Sequence, residues 1–161
     1  MSHRVLFICT GNIFRSLAAE YALRAALGTT AGVAVSSAGT DDFPHVVRRA
    51  VREYLFTRGL DVTRHVRRTL TADILESATL PVAMSTEHHD FVRVRFSRTV
   101  PLFTEACGLA AEPLPDVDEV VPDFESKPAA ALAHIRATID RIIDLTPRLA
   151  ARIICGELLV P

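Results

Sequence analysis

Two side chains that can do chemistry together lie six positions apart near the start of the chain. Cys9 and Arg15 enclose a loop that contains Gly11, within the segment CTGNIFRS at residues 9–16. Backbone N–H groups in such a loop can converge on one anion, and the positive end of a following helix adds to their field. Arginine offers a planar pair of donors to two oxygens of a tetrahedral anion. The spacing therefore predicts an oxyanion cradle with a sulfur nucleophile at its base.

The environment of this cradle favours the thiolate form of Cys9, which is the reactive form. Ser16 is placed to donate a hydrogen bond to the sulfur and so to help it leave in a later step. The alternative is that Cys9 is only a small buried hydrophobic residue at the end of a strand. The cysteine–arginine spacing alone is a weak signal, but a strand before it, a glycine within it and a helix after it favour oxyanion chemistry.

The flanking sequence predicts the elements that position this loop. Short apolar runs predict buried strands at residues 4–9, 33–37, 80–84 and 99–103. Apolar residues at helical spacing predict helices at residues 16–27, 44–58 and 85–91, and a long helix that starts at Pro128 and is interrupted by Pro147. Strands that alternate with helices predict a parallel sheet with helices on both faces. Ligands bind beyond the carboxyl ends of such strands, which is where Cys9 lies.

The composition narrows the class of protein. The chain has 161 residues, of which 49% are hydrophobic and 23% charged, and its formal net charge is -1. These values predict a single domain over residues 1–161, without the basic surface that nucleic acids or anionic membranes attract. No apolar run approaches the roughly 20 residues of a membrane-spanning helix, and the first residues lack a signal sequence, so we expect a cytoplasmic protein.

Cysteine and histidine usage gives no sign of a metal site. The three cysteines are widely spaced, which predicts neither a disulfide framework nor a zinc site. The pair His88 and His89 is expected to lie on an exposed helix face rather than to bind metal. We therefore expect no metal and no cofactor.

Residues 9–16 closely resemble the signature loop of the low-molecular-weight protein tyrosine phosphatases. The sequence SAGT at residues 37–40 is similar to the exit of that family's second strand, and HVRRTL at residues 65–70 is similar to its His-x-x-Arg-x-Leu segment. Met84 lies where the family has a Met-Asp strand end. The resemblance covers nearly the whole chain. It implies a three-layer αβα fold with a four-stranded parallel sheet, phosphotyrosine protein phosphatase I-like, with flavodoxin-like topology.

The resemblance also implies roles for individual residues. Cys9 is then the nucleophile that forms a phosphocysteine, and Arg15 holds the phosphoryl group. The resemblance assigns phosphate binding to Thr10, Gly11, Asn12, Ile13, Phe14, Arg15 and Ser16. Asn12 is expected to hold the loop in a strained shape through a hydrogen-bond network with Ser16, Ser37 and His65. Phe43 falls near the aromatic residue that walls the slot for a phosphotyrosyl ring.

The expected general acid has two candidates. The family uses an aspartate followed by proline before the last helix, and this chain has no Asp-Pro pair. Asp123 has the better spacing to that helix and is favoured, and Asp116 is the alternative. Both lie in the stretch from 105 to 124, where irregular structure indicates a functional loop. Phe14 also replaces a second cysteine that is common in the family, and Ser85 replaces an aspartate.

The expected function is hydrolysis of phosphotyrosine, in a protein or as a small aryl phosphate. Ile13 favours an aryl substrate, because phosphoarginine phosphatases of this fold tend to carry threonine at that position. One alternative is a thiol-dependent arsenate reductase, for which Cys107 is the one candidate resolving cysteine. Another is a phosphate-binding regulatory module that has lost efficient acid catalysis. We expect no nucleic-acid or membrane partner, and a monomer or weak dimer.

Overall fold

The strand that carries Cys9 is the middle strand of a three-stranded parallel sheet. In the computed structural model, β1 (His3–Cys9) pairs with β2 (Val33–Gly39) on one side and with β3 (Leu80–Ala83) on the other. Helices cover both faces of β1, which explains why its sequence is apolar without alternation. Cys9 therefore lies in the middle of the carboxyl edge of the sheet.

Seven α-helices occur in the described part of the chain and form the outer layers. They are α1 (Arg15–Leu27), α2 (Arg49–Thr57), α3 (Ala72–Ser77), α4 (Thr86–Phe96), α5 (Phe103–Ala106), α6 (Val117–Val120) and α7 (Pro128–Ile154). A short 3-10 helix spans Phe124–Ser126. The helices α1 and α7 pack against each other on one face of the sheet, and α3 and α4 cover the other face. The predicted three-layer αβα architecture is confirmed.

Side chains of β1 alternate between two apolar clusters. Val5, Phe7 and Cys9 face the layer of α1 and α7. Leu6 and Ile8 face the layer of α3 and α4. Full burial of a large apolar side chain contributes about 1.5–3 kcal/mol, and a slip by one residue would turn every side chain to the wrong face. The register of β1 is therefore strongly specified, and it turns the sulfur of Cys9 toward α1.

Residues 99–103 do not form the expected fourth strand. One bridge joins Leu102 to Ala83, and the carbonyl of Pro101 accepts a hydrogen bond from the Ala83 N–H. Pro101 has no N–H to donate, and Leu102 already caps the start of α5. Within the described residues, the sheet therefore has three strands where four were expected.

Two helices differ from their predicted bounds. The predicted helix began at Pro44, but residues 44–48 are not helical and α2 starts at Arg49. Pro147 lies inside α7 and does not interrupt it. Ile142 and Leu149, on either side of this proline, are both fully buried. Packing of the apolar face therefore outweighs the proline, which costs about 3 kcal/mol in a helix interior.

The structure describes residues 3–30 and 32–158. The predicted domain bounds of 1–161 also include Met1, Ser2, Ala31 and residues 159–161, which lie outside the described residues. Within the two described ranges, no helix combines the length and the apolar character that crossing a membrane requires.

At Gly39, the end of β2 packs very closely against the backbone of the cradle loop. A Cβ atom at this position would lie 2.5 Å from the carbonyl oxygen of Thr10 and 3.1 Å from the nitrogen of Asn12. The backbone of Gly39 is itself held, because its N–H donates to Arg68 and its carbonyl accepts from Leu70. The Gly39 side of the contact cannot move freely, so the shape of the loop depends on the absence of a side chain here.

We expect Gly39→Ala to weaken binding of inorganic phosphate, because the new methyl group would push the loop out of shape. Strain of about 1–3 kcal/mol corresponds to a loss of roughly 10- to 100-fold in affinity. Isothermal titration calorimetry with phosphate measures this loss. Gly28→Ala is the control, since a Cβ there meets nothing within 4 Å and adds only backbone strain at φ +56. Equal losses of phosphate affinity in the two variants would contradict the prediction.

Candidate active site

A cavity of about 320 Å³ opens beyond the carboxyl end of β1, and Cys9 is one of its lining residues. Its walls come from the cradle loop, the turn after β2, and residues of α2, α6 and α7. This volume lies at the small end of the range for small-molecule sites, which is about 300–1,000 Å³. The cavity therefore has room for one compact ligand directly at the cradle.

Cys9 ends β1 with its sulfur close to the first turn of α1. The residue is 2% exposed, and its Sγ lies 2.9 Å from Ser16 Oγ. That hydroxyl also accepts a hydrogen bond from Asn12 Nδ2 at 3.0 Å. The hydroxyl hydrogen of Ser16 is therefore available to donate to the sulfur. The N-terminus of α1 adds a positive field at the sulfur.

Asn12 has a left-handed backbone, with φ 56°, and its side-chain amide and its carbonyl are all hydrogen-bonded. Its Nδ2 donates to Ser37 Oγ at 2.7 Å as well as to Ser16 Oγ. Its Oδ1 accepts from the backbone N–H of Arg68 at 3.1 Å, and its carbonyl accepts from His65 Nε2 at 2.8 Å. The structure thus brings together the four residues of the network that the resemblance implies.

Glu20 supports this network from within α1, although the sequence analysis did not identify it. The side chain is only 8% exposed, and it accepts a hydrogen bond from Ser37 Oγ. Arg24 Nη2 lies 2.5 Å from Glu20 Oε1 and balances the buried charge. Ser16 and Glu20 are four residues apart and share one face of the helix. That spacing is the signal that could have identified Glu20.

Arg15 is 1% exposed, and its three nitrogens have different surroundings. Nη1 donates to the carbonyl of Leu114 at 3.0 Å, and Nη2 donates to Asp116 Oδ2 at 2.6 Å. Nε is buried and has no acceptor among the residues that the structure describes. Nε and Nη2 form one edge of the guanidinium, which is the geometry that binds two oxygens of one oxyanion. An anion in the cavity would satisfy Nε, and a buried donor left without an acceptor costs about 1–3 kcal/mol.

The structure brings Asp116 to the cradle and leaves Asp123 outside the cavity. Asp116 lines the cavity at the start of α6, where its Oδ1 accepts from the N–H of Val117. Asp123 is exposed, has a left-handed backbone at φ 56°, and bonds Ser126 through its carbonyl. The preference for Asp123 rested on its spacing to α7. Short helical turns take up part of that chain length, so linear spacing does not predict which aspartate reaches Arg15.

His45 lines the cavity, and the expected slot residue Phe43 does not. The Phe43 ring is 61% exposed and packs on the His45 ring, with centroids 4.9 Å apart. A turn explains this arrangement, because Asp41 Oδ1 accepts from the N–H of Phe43 and Oδ2 lies 2.9 Å from His45 Nε2. Arg48 and Phe124 also line the cavity, with the guanidinium 4.2 Å from the ring centroid. The aromatic side chains that line the cavity are therefore Phe14, His45 and Phe124.

Residues 4–150 match the family described as low molecular weight phosphotyrosine protein phosphatase. The chain belongs to this family. The match includes all of β1 but its first residue, the cradle loop and most of α7, so every site residue described above lies within it.

Relatives in the phosphatase family include two curated bacterial proteins. The sequence is 37% identical over 98 residues to a protein-arginine-phosphatase of Bacillus subtilis, which is 58% of this chain and 63% of the relative. It is 35% identical over 85 residues to the low molecular weight protein-tyrosine-phosphatase Etp of Escherichia coli, which is 52% of this chain and 55% of the relative. The chain thus spans less than two thirds of the length of these relatives. The solved structure of a YwlE mutant from Bacillus subtilis is 27% identical and has a TM-score of 0.76, with 94% of this chain and 99% of that chain covered.

His88 lies against the family's signature loop, and its expected exposure was wrong. The ring is 0% exposed, and its Nε2 lies 2.9 Å from Thr10 Oγ1. Burial, and to a lesser degree the charge of Arg15, lowers the pKa of His88 from 6.5 to about 3. His88 is the third residue of α4, which follows β3, the neighbour of β1. That position at the carboxyl edge of the sheet is the signal that could have identified it.

We expect His88 to make the stability of the protein depend on pH. Because its folded-state pKa is lowered to about 3, the unfolded chain binds a proton between about pH 6.5 and pH 3 that the folded protein does not. This contribution to the free energy of unfolding is complete above that window and is lost as the pH falls through it. The free energy of unfolding should therefore fall less steeply with falling pH in His88→Gln, by at most about 1.4 kcal/mol per pH unit.

Urea unfolding at a series of pH values between about 7 and 5 measures this slope. His89→Gln is the control, because it removes a partly exposed histidine from the same helix. Parallel curves for the wild type and His88→Gln would contradict the assignment.

Proposed function

We propose that this protein hydrolyses phosphate monoesters through a covalent phosphocysteine on Cys9, and that aryl phosphates, above all phosphotyrosine, are its substrates. One observation carries the proposal. The sulfur of Cys9, the Nε–Nη2 edge of Arg15 and the carboxyl group of Asp116 lie in one cavity. A nucleophile, oxyanion donors and a proton donor are the components that this chemistry requires.

In the first step, the thiolate of Cys9 attacks phosphorus, and the bond from phosphorus to the ester oxygen breaks. Arg15 and the backbone N–H groups of the loop bind the phosphoryl oxygens as charge develops on them. A phosphoryl oxygen replaces Asp116 at Arg15 Nη2, which frees the carboxyl group to turn to the ester oxygen. Asp116 then gives its proton to that oxygen, so the phenol leaves as a neutral molecule.

In the second step, a water molecule attacks the phosphocysteine while the carboxylate of Asp116 takes one of its protons. The phosphorus–sulfur bond breaks, and inorganic phosphate forms. Ser16 donates a hydrogen bond to the returning thiolate, since its hydroxyl lies 2.9 Å from the sulfur. Asp116 ends protonated and Cys9 ends as the thiolate, so both groups are ready for another cycle.

The lining of the cavity supports a flat apolar leaving group. Ile13, Phe14, Val51 and Ile135 contribute apolar side chains, and His45 contributes a ring. A phenyl group would bury its surface against these side chains, at about 25 cal/mol per Å². Isoleucine in the loop has no hydroxyl for a guanidinium donor, which favours an aryl ester over phosphoarginine.

Phosphoarginine is a second candidate substrate, because one relative is named a protein-arginine-phosphatase. Asp41, Asp116 and Asp118 line the cavity, and their carboxylates could accept hydrogen bonds from a guanidinium leaving group. Parallel turnover measurements with phosphotyrosine and phosphoarginine peptides separate the two substrates.

The burial of Cys107 argues against the arsenate reductase alternative. Cys107 is 0% exposed, and desolvation raises the pKa of its thiol to about 12. A resolving cysteine attacks as the thiolate, and this thiol stays protonated near neutral pH. A monomer or weak dimer in the cytoplasm, with no nucleic-acid or membrane partner, stays a prediction from the sequence.

We expect the wild-type protein to hydrolyse p-nitrophenyl phosphate at mildly acidic pH without added metal. Cys9→Ser should abolish turnover and retain phosphate binding, because a serine hydroxyl is a much weaker nucleophile than a thiolate. Nitrophenolate release and calorimetry measure the two properties. Phosphate binding without turnover in the wild type would favour the regulatory module. Thioredoxin-dependent arsenate reduction that Cys107→Ser stops would favour the reductase.

We expect Asp116→Asn to lower kcat for an aryl phosphate by roughly 10²- to 10⁴-fold, because an amide cannot supply the proton. The loss should shrink for esters whose phenol is acidic, since these leave without protonation. Asp123→Asn is the matched control, with the same change of charge on an exposed aspartate of the same loop. A larger loss in Asp123→Asn than in Asp116→Asn would reverse the assignment of the acid.

A further inference from the structure

The first turn of α4 places a buried histidine against the cradle loop, and the two chemical steps give it no role. His88 Nε2 lies 2.9 Å from Thr10 Oγ1, which joins the helix after β3 to the loop after β1. The histidine ring is fully buried, whereas Thr10 lines the cavity. The contact therefore links a side chain that solvent does not reach to one that can touch a ligand.

A hydrogen bond from Ser85 determines which nitrogen of His88 carries the proton. The backbone N–H of Ser85 can only donate, and it is directed to His88 Nδ1 at 3.1 Å. Nδ1 is therefore the acceptor, and the proton of the neutral ring lies on Nε2. Burial keeps the ring neutral under assay conditions by lowering its pKa to about 3. Nε2 consequently donates to Thr10 Oγ1.

Both polar neighbours of the Thr10 hydroxyl are donors. His88 Nε2 donates to Oγ1, and Arg15 Nη2, at 3.5 Å, has no lone pair with which to accept. The hydroxyl hydrogen can therefore be directed to neither neighbour. Residues 3–30 and 32–158 offer it no acceptor within hydrogen-bond distance. The cavity is the direction that remains.

We propose that His88 is a positioning residue, which holds Thr10 so that its hydroxyl donates a hydrogen bond to an oxygen of the bound phosphate ester. This inference rests on the proposed function of the cavity. Thr10 then adds one neutral side-chain donor to the backbone and arginine donors of the cradle. Arg15 Nη2 lies beside the same hydroxyl, so the added donor faces the oxygens on which charge develops.

Two substitutions at His88 distinguish positioning from simple support of the helix. His88→Asn keeps an acceptor at the place of Nδ1, close to Ser85, and removes the donor at Nε2. His88→Gln does the reverse and carries an amide donor toward Thr10. We expect kcat/KM for an aryl phosphate to fall roughly 10- to 100-fold in His88→Asn, and His88→Gln to recover most of that loss. If kcat/KM fell further in His88→Gln than in His88→Asn, the role of His88 would be only to cap α4, and the proposal would be overturned.

Substitutions of Thr10 test the same hydroxyl without changing the buried histidine. Thr10→Val removes the hydroxyl at nearly constant shape, and Thr10→Ser keeps it. We expect Thr10→Val to match His88→Asn, and the double variant to lose little more, because both changes remove one donor. Fully additive losses would overturn the proposal. His89→Gln, whose parent histidine lies 2.7 Å from the carbonyl of Val100 through Nδ1, is the control on the same helix.

Protection of Cys9 from iodoacetate by inorganic phosphate gives a readout that needs no turnover. We expect weaker protection in His88→Asn and in Thr10→Val than in the wild type, with urea unfolding to show that both variants fold. Equal protection in all three proteins would overturn the inference. If the wild type is protected by phosphate and hydrolyses no ester, the proposed function fails, and the protection measurement still decides the role of Thr10.

Discussion

The left-handed backbone of Asn12 is the constraint on which the rest of the site depends. Such a conformation at a residue other than glycine costs about 1–3 kcal/mol. Four hydrogen bonds to the one residue stabilise it, and they come from α1, from β2 and from the segment after α2. The loop is therefore braced by elements that are themselves packed into the core. The positions of Cys9 and Arg15 depend on this arrangement, because these residues lie at the two ends of the loop that Asn12 bends.

The sequence carried enough information to predict the cradle because the determinants of the cradle are local. Cys9, Gly11 and Arg15 lie in one short loop, and the strand and helix on either side have strong patterns of their own. β1 is buried on both faces, so its apolar run could be assigned without knowledge of its neighbours. The supporting residues Ser37 and His65 were found only through the resemblance. No periodicity in their own segments indicates that they meet Asn12.

The features that sequence reasoning could not place depend on distances through space. Asp116 and Asp123 have similar neighbours in the sequence, and only the folded path between α6 and α7 determines which one meets Arg15. His88 lies in a polar stretch whose pattern is typical of an exposed helix. Its burial follows from the start of α4 at the edge of the sheet. The apolar neighbours of Pro101 predicted a strand that does not form, because a proline has no N–H to donate to a sheet ladder.

The hydrogen bond from Arg15 to the Leu114 carbonyl also affects how much of a ligand's interaction energy is left for affinity. A mobile arginine side chain loses up to roughly 2 kcal/mol of rotamer entropy when a ligand orders it. In this protein that ordering accompanies folding, because the side chain is buried and its Nη1 is already bonded. An incoming oxyanion meets a rigid edge of donors, and little of its interaction energy is spent on immobilising them. The segment that carries Leu114 is thus a thermodynamic participant in ligand binding, although it lies 99 residues away from Arg15 in the chain.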